Sequence, residues 1–230
     1  MTDLVAVGVD GRTSNQAVHW AIEWAIERDA PIEFVHALPA PARDSLESTE
    51  ERRRQGLLVV QHEVALAHDA NLTRVGICLA DQPVAAALVG ASQHAALLVI
   101  GRRDTASRIY RRSPSVSRHL NRYASCPVVV VPESMAHGEE EKRIVLLLSG
   151  AAADRAAMDF AFAQAAATGA EIDLIESART ASTTRELLAA ADHAELVVIP
   201  ARVPTDDMLA PGDPELVALR HVPCPVVYAR

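Results

Sequence analysis

Few features of this sequence point to an oxidising compartment or a membrane. Its 230 residues include three cysteines, an odd number without paired spacing, so no disulfide framework is expected. No apolar run approaches the roughly 20 residues that a membrane-spanning helix needs, and no basic region precedes the first apolar stretch. These absences predict a soluble, cytoplasmic protein that contacts no membrane.

Lysine is almost absent: arginine supplies all but one of the 22 basic side chains, and the net charge is −8. Residues 1–132 carry 14 arginines against 14 acids, and seven of those arginines lie within residues 101–122. A chain with this overall charge is not expected to bind nucleic acid. The local cluster has two interpretations that remain open, a solvated helix face or an anion-binding site.

Motifs of catalysis are also missing. The sequence contains no GxSxG elbow, no P-loop and no GxGxxG fingerprint. Its nine histidines do not stand at zinc-ligand spacing with cysteines or acids. We therefore expect neither catalytic residues nor a metal site, and predict that the protein is not an enzyme.

The sequence repeats itself. "SCPVVVVP" at residues 125–132 returns as "PCPVVYAR" at 223–230, and "AALLVIG" at 95–101 returns as "AELVVIP" at 194–200. The polar, acidic stretch "ESMAHGEEEK" lies between the copies. The repeat predicts a domain over 1–132, a linker over 133–142 and a second domain over 143–230.

Apolar runs alternate with helical patterns in the first unit, which predicts an α/β fold with a parallel sheet. A helix over "NQAVHWAIEWAIERD" is expected to turn one face to the sheet, consisting of Val18, Ala21, Ile22, Ala25 and Ile26. In a later helix, Asp81 is expected to cap the N-terminus, with Pro83 in the first turn. The second unit lacks the long helix and the third strand of the first.

The first unit resembles the universal stress protein family, through "VAVGVDG", "FVHAL" and the ending "SVSRHLNRYASCPVVVVP". The second unit resembles a trimmed copy. The resemblance implies Rossmann-like units, with a five-stranded parallel sheet ordered 3-2-1-4-5 followed by a four-stranded sheet ordered 2-1-4-5. Family members usually pair as dimers through strand five. We therefore expect the two units to pair through residues 127–132 and 225–230, and a homodimer of the full chain is a further expectation.

ATP-binding members of the family carry a glycine-rich loop after strand four. Here Gly101 and Ser115 match that loop, whereas Asp104 and Pro114 replace its second and third glycines. Proline has no N–H to donate and aspartate repels a polyanion, so the changes argue against ATP and predict that no cofactor is bound. Guanidinium groups could instead rebuild an anion site, because they bind phosphate without backbone access.

The resemblance implies one candidate binding site in the first unit. Its members are Asp10, Gly11, Ala37, Gly101, Arg102, Arg103, Ser115, Val116 and Ser117. In the second unit Ser149 replaces the acid, Pro200 replaces the glycine and Asp213 stands where Ser115 does, so no site is expected there. We predict a stress-associated regulatory protein that binds an unknown protein partner and has a degenerate ATP site. The alternative is a nucleotide-binding stress sensor that uses the arginine-rich loop.

Overall fold

The computed structural model describes residues 3–11, 15–38, 48–102, 116–135, 142–150, 152–176, 181–201, 218 and 221–230. Strands and helices alternate along both halves of the chain. The first half contains β1 (Val5–Gly8), α1 (Asn15–Glu27), β2 (Ile32–Ala37), α2 (Thr49–Asp69), β3 (Val75–Ala80), α3 (Val84–Ser92), β4 (Leu97–Gly101), α4 (Val116–Tyr123) and β5 (Val128–Val131). The second contains β6 (Arg143–Leu148), α5 (Asp154–Thr168), β7 (Glu171–Glu176), α6 (Ala181–Ala191), β8 (Leu196–Pro200) and β9 (Val226–Ala229).

The strands of the described residues form one mixed sheet in the order β3-β2-β1-β4-β5-β9-β8-β6-β7. This order contains 3-2-1-4-5 in the first half and 2-1-4-5 in the second, as the resemblance implies. The fold class needs one correction, because the halves share a nine-stranded sheet instead of forming two sheets. The physical reason is that each half ends in an apolar edge strand whose backbone groups the other half satisfies.

The two halves meet at an antiparallel seam between β5 and β9. Val128 lies opposite Tyr228 and Val130 lies opposite Val226, and the strands on either side of this pair run parallel. All of these seam residues are buried. Apolar cross-strand pairs of this kind remove surface from water on both faces of the sheet, so the seam is continuous with the core.

Helices cover both faces of the sheet. Buried residues of α1, α2 and α5 pack against one face, and buried residues of α3, α4 and α6 pack against the other. The prediction for α1 holds for four of its five core residues, but Ile26 is 48% exposed and Ala17 is buried in addition. Among the described helices, none has the length and apolar character to cross a membrane.

Candidate functional site

The candidate site lies at the carboxyl ends of β1, β4 and β2, where the strand order of the first half reverses. Asp10 and Gly11 follow β1, Gly101 ends β4, and Ala37 ends β2 on the other side of β1. At such a reversal the connections leave the sheet on opposite faces and open a crevice, which is where doubly wound proteins bind ligands. The structure thus brings these four predicted residues to one edge of the sheet.

The predicted residues of α4 reach the same edge. This helix connects the parallel strands β4 and β5, so it runs back along the sheet and begins at the carboxyl ends of the strands. Val116 and Ser117 form its first turn. The remaining predicted positions, Arg103 and Ser115, lie outside the described residues, as do the substituted loop positions Asp104 and Pro114.

Gly11 is held closely by its neighbours. Its φ is +71°, a conformation that side chains disfavour, and a Cβ at this position would stand 2.7 Å from Cγ1 of Val59. A glycine is therefore required here by both backbone conformation and space. The contact also shows that α2 packs directly over the loop that follows β1, which the sequence pattern did not reveal.

A buried histidine, which the sequence did not identify as part of the site, lies beside it. The ring of His36 is buried, and its Nδ1 donates a hydrogen bond of 2.8 Å to the carbonyl oxygen of Val9. This bond connects the end of β2 to Val9, which follows β1 and precedes Asp10. The alternation of β2 could have placed this side chain on the buried face, but no signal in the sequence identifies its acceptor.

The side chain of Arg102 points across the seam. Its backbone N–H donates to the Val131 carbonyl at 2.6 Å, and its guanidinium Nη1 donates to the Val222 carbonyl at 2.7 Å. In the opposite direction, the guanidinium of Arg230 donates to the carbonyl of Asn121 in α4. Arg102, a candidate phosphate ligand from the sequence, thus carries a bond that joins the two halves of the chain.

Asp81 does not cap α3, so this prediction is wrong. Pro83 is the N-cap residue, not a first-turn residue, and no side chain caps this end of the helix. Asp81 instead forms a two-bond ion pair with the buried Arg52 of α2, at 2.8 and 3.3 Å. The hydrogen bonds from Arg52 lower the pKa of Asp81. The reason is that a buried guanidinium gains more from a carboxylate partner than an exposed helix end does.

At the corresponding position of the second half, the backbone donors that follow β6 are bonded to a side chain of the same half. The backbone N–H groups of Ser149 and Gly150 both donate to the carboxylate of Asp154, at distances of 2.6 to 3.1 Å. The hydroxyl of Ser149 donates to the same carboxylate at 2.8 Å. An internal anion therefore occupies the donors of the loop that follows β6.

Two buried thiols flank the seam. Cys126 and Cys224 precede β5 and β9, and burial raises the pKa of each to about 12. Both side chains are therefore protonated and unreactive near neutral pH. No cluster of three or more His, Cys, Asp or Glu residues suited to a metal ion occurs in the part of the chain that the structure describes.

A parallel sheet ordered 3-2-1-4-5, whose strand order reverses beside the candidate site, defines the first half as a doubly wound α/β unit. Comparison with known proteins gives the family. The chain belongs to the universal stress protein family, whose profile matches residues 1–132.

The chain is also similar to individual proteins. A universal stress protein of Mycolicibacterium smegmatis is 32% identical over 182 residues, which are 73% of this chain and 61% of the relative. The match thus spans about three fifths of the relative's length. A crystal structure of a universal stress protein from Archaeoglobus fulgidus DSM 4304 covers 100% of this chain and 99% of its own, with a TM-score of 0.72 and 12% identity. A universal stress protein in complex with cAMP covers 57% of this chain and 98% of its own, with a TM-score of 0.48 and 23% identity.

Proposed function

We propose that this universal stress protein is a cytoplasmic, non-catalytic regulatory protein that acts by binding another protein, and that its ATP site is degenerate. The observation that carries the proposal is the hydrogen bond of 2.7 Å from Arg102 to the carbonyl of Val222. This bond occupies one N–H donor of the guanidinium and positions the group at the seam between the two halves. Its role is structural in this arrangement.

The loop sequence and the second half support the same proposal. Asp104 and Pro114 replace two glycines of the family's loop, which introduces a negative charge and removes a backbone donor. In the second half, Asp154 occupies the donors of Ser149 and Gly150. Three thiols without disulfides, two of them buried, suit a reducing compartment such as the cytoplasm.

A second candidate function is nucleotide sensing by the first half. The observation in its favour is that Asp10 and Gly11 follow β1 at the reversal of strand order, with Gly11 at a φ of +71°. This loop is the part that the family resemblance assigns to the nucleoside. In this alternative, arginines of the loop after β4 replace the lost backbone donors.

Isothermal titration of the full chain with ATP, AMP and cAMP, each with Mg²⁺, separates the two functions. If the ATP site is degenerate, we expect no measurable binding at ligand concentrations up to about 1 mM. We also expect no ligand-dependent rise in Tm, because stabilisation by mass action requires a ligand concentration well above the Kd. A micromolar affinity that is lost when Asp10 is replaced by alanine would establish the alternative.

Restoring the loop provides the matched positive control. The double variant Asp104→Gly/Pro114→Gly removes a repulsive carboxylate and returns one N–H donor, so we expect it to bind ATP more tightly than the natural sequence. A double variant that binds no better would show that these two positions are not what limits the site.

A further inference from the structure

A cavity of about 170 Å³ lies between the two halves of the chain. The first half lines it with Trp20 and Trp24 of α1. The second half lines it with residues that include Thr168, at the end of α5, and Glu195, which precedes β8. Small ligands commonly bind in cavities between packed units, where apolar walls carry a few polar groups.

The lining of the cavity has an excess of negative charge. It contains three glutamates and a single basic residue, namely Glu23, Glu27, Glu195 and Lys142. Glu27 is already paired, because Arg28 donates a hydrogen bond to its carboxylate at 2.9 Å. Among the described residues, no cation forms an ion pair with Glu23 or Glu195. After Lys142 is counted against these two carboxylates, one negative charge remains.

Glu195 is the partly buried member of these carboxylates, whereas Glu23 and Glu27 are exposed. Burial raises the pKa of Glu195, although Thr168 donates a hydrogen bond to it at 3.2 Å and the charge of Lys142 opposes the shift. The negative charge of Glu27 adds to the rise. The carboxylate therefore lacks positive charge in the folded protein, a property that is frequent in groups that meet a ligand.

The two indole rings of the cavity differ in their contacts. Trp24 stacks on Phe160 at 5.8 Å, and the guanidinium of Arg28 lies 3.5 Å from the centroid of its ring. Arg28 also donates a hydrogen bond of 2.7 Å to the side-chain oxygen of Gln164. Trp20 stacks on Trp24 at 5.2 Å and has no cation over its ring among the described residues. Because an indole both packs against carbon chains and attracts positive charge, Trp20 can serve an added cation as Trp24 serves Arg28.

These groups match the chemistry of a primary ammonium ion on a short carbon chain. The ammonium group has three N–H donors, for which the carboxylates of Glu23 and Glu195 are acceptors. Its carbon chain can pack on Trp20. An anion would be repelled by the carboxylates, and a quaternary ammonium would donate no hydrogen bond to them. The volume is below the roughly 300 Å³ at which pockets for drug-sized ligands begin, so the ligand is small.

We propose that the cavity binds a small free amine in its protonated form, with the ammonium group bonded to Glu195 and Glu23 and the carbon chain on Trp20. This inference goes beyond the proposed function, because the cavity shares no residue with the candidate nucleotide site. A ligand that contacts both halves would also stabilise their arrangement by mass action.

The test follows the tryptophan fluorescence of the full chain, because its two tryptophans, Trp20 and Trp24, both line the cavity. At neutral pH and constant ionic strength, butylammonium chloride should change the fluorescence in a saturable manner, with a Kd on the order of 1 mM. 1-Butanol keeps the carbon chain without the charge, and sodium butyrate reverses the charge. Both should bind much more weakly, because the carboxylates of the cavity would lack a cationic partner.

Variants separate this site from unspecific binding, with the Tm of each variant as the check on folding. Glu195→Gln should weaken butylammonium binding roughly tenfold, as is typical when a hydrogen bond to a charged group is lost. The matched control, Glu186→Gln, makes the same change in net charge at an exposed position of α6, on the other face of the sheet, and should leave the affinity unchanged. Lys142→Met removes the competing cation and should tighten binding severalfold, a gain that partial unfolding would not produce.

Several outcomes would overturn the proposal: no saturable change with butylammonium, equal affinity for 1-butanol, equal effects of Glu195→Gln and Glu186→Gln, or no tighter binding by Lys142→Met. The source of the amine is tested with Nα-acetyl-lysinamide, which carries the same ammonium chain on a peptide backbone. If this compound binds more tightly than butylammonium, the occupant is a lysine side chain of another protein and the proposal of a free amine is wrong.

Discussion

Nη1 of Arg102 lies 2.7 Å from the carbonyl oxygen of Val222, so a residue that follows β4 in the first half is bonded to one that precedes β9 in the second. The sequence makes Arg102 a candidate ligand of an anion-binding loop, whereas the structure gives it a partner 120 positions away along the chain. The bond makes the candidate site and the seam interdependent.

Replacing Arg102 with methionine should destabilise the protein and leave nucleotide titrations unchanged. The variant keeps most of the side chain's apolar stem but removes a charge-assisted hydrogen bond, which is worth about 2 kcal/mol, or roughly 4–8 °C in Tm. Calorimetry measures this loss. Arg118→Met, at an exposed position of α4, is the matched control and should have little effect. A variant with unchanged Tm would contradict the structural role of Arg102.

Removing the second half should expose the seam. A fragment that ends at Glu133 loses β9, and the buried residues Val128–Val131 then form an open apolar edge. We expect this fragment to dimerise or precipitate, as followed by light scattering. If it stays monomeric with the stability of the full chain, β9 contributes nothing essential to covering this edge.

The ion pair between Arg52 and Asp81 predicts a dependence of stability on acidity. Because Arg52 lowers the pKa of Asp81 in the folded state, the pair stabilises the fold above the carboxyl group's unfolded pKa. That contribution is lost as the pH falls through the lower, folded value. Asp81→Asn should therefore lower Tm at neutral pH, and its Tm should approach that of the natural protein in strong acid.

The matched control for this experiment is Asp69→Asn, which changes an exposed carboxylate near the end of α2. It should affect Tm little at any pH. Equal shifts for the two variants would mean that the general loss of negative charge, and not the contact with the buried guanidinium of Arg52, causes the effect.

For Glu195 we predict the opposite dependence of stability on pH. Burial raises its pKa, although a hydrogen bond from Thr168 at 3.2 Å opposes the shift. An acid with a raised folded pKa loses stabilising free energy as the pH rises from its unfolded pKa to its folded pKa. Glu195→Gln keeps an acceptor for Thr168 and removes the charge, so it should raise Tm at pH 7. Because Glu195 is only half-buried, solvent screening keeps the gain small. A decrease in Tm, with Glu186→Gln at an exposed position of α6 as the control, would contradict this account.

The order of elements could be predicted because buried parallel strands are apolar on both faces and the helices between them are periodic. The strand orders followed from the family resemblance. The single continuous sheet could be anticipated only through the repeated "CPVV" segments, since backbone pairing between distant edges leaves no local signal beyond their apolar character.

The sequence alone does not show which residues the charged and aromatic side chains contact in the folded protein. A carboxylate before a helix is typical of a cap, and only the tertiary structure shows that Asp81 meets the buried Arg52. Similarly, Trp20 and Trp24 stack at 5.2 Å, and Trp24 stacks on Phe160 of the second half at 5.8 Å. A spacing of four residues is typical of a shared helix face, but it does not show that this face meets α5.

Because both strands of the antiparallel seam belong to one chain, assembly of the sheet does not depend on the protein concentration. Because β5 and β9 belong to one chain and are joined through residues 132–142, their pairing is governed by an effective concentration, in the millimolar range for short tethers, and not by the concentration of the protein in the cell. Dilution cannot separate the two halves. The number of complete sheets therefore rises in direct proportion to the number of chains made, whereas a sheet built from two separate chains would form as the square of their concentration when the protein is scarce.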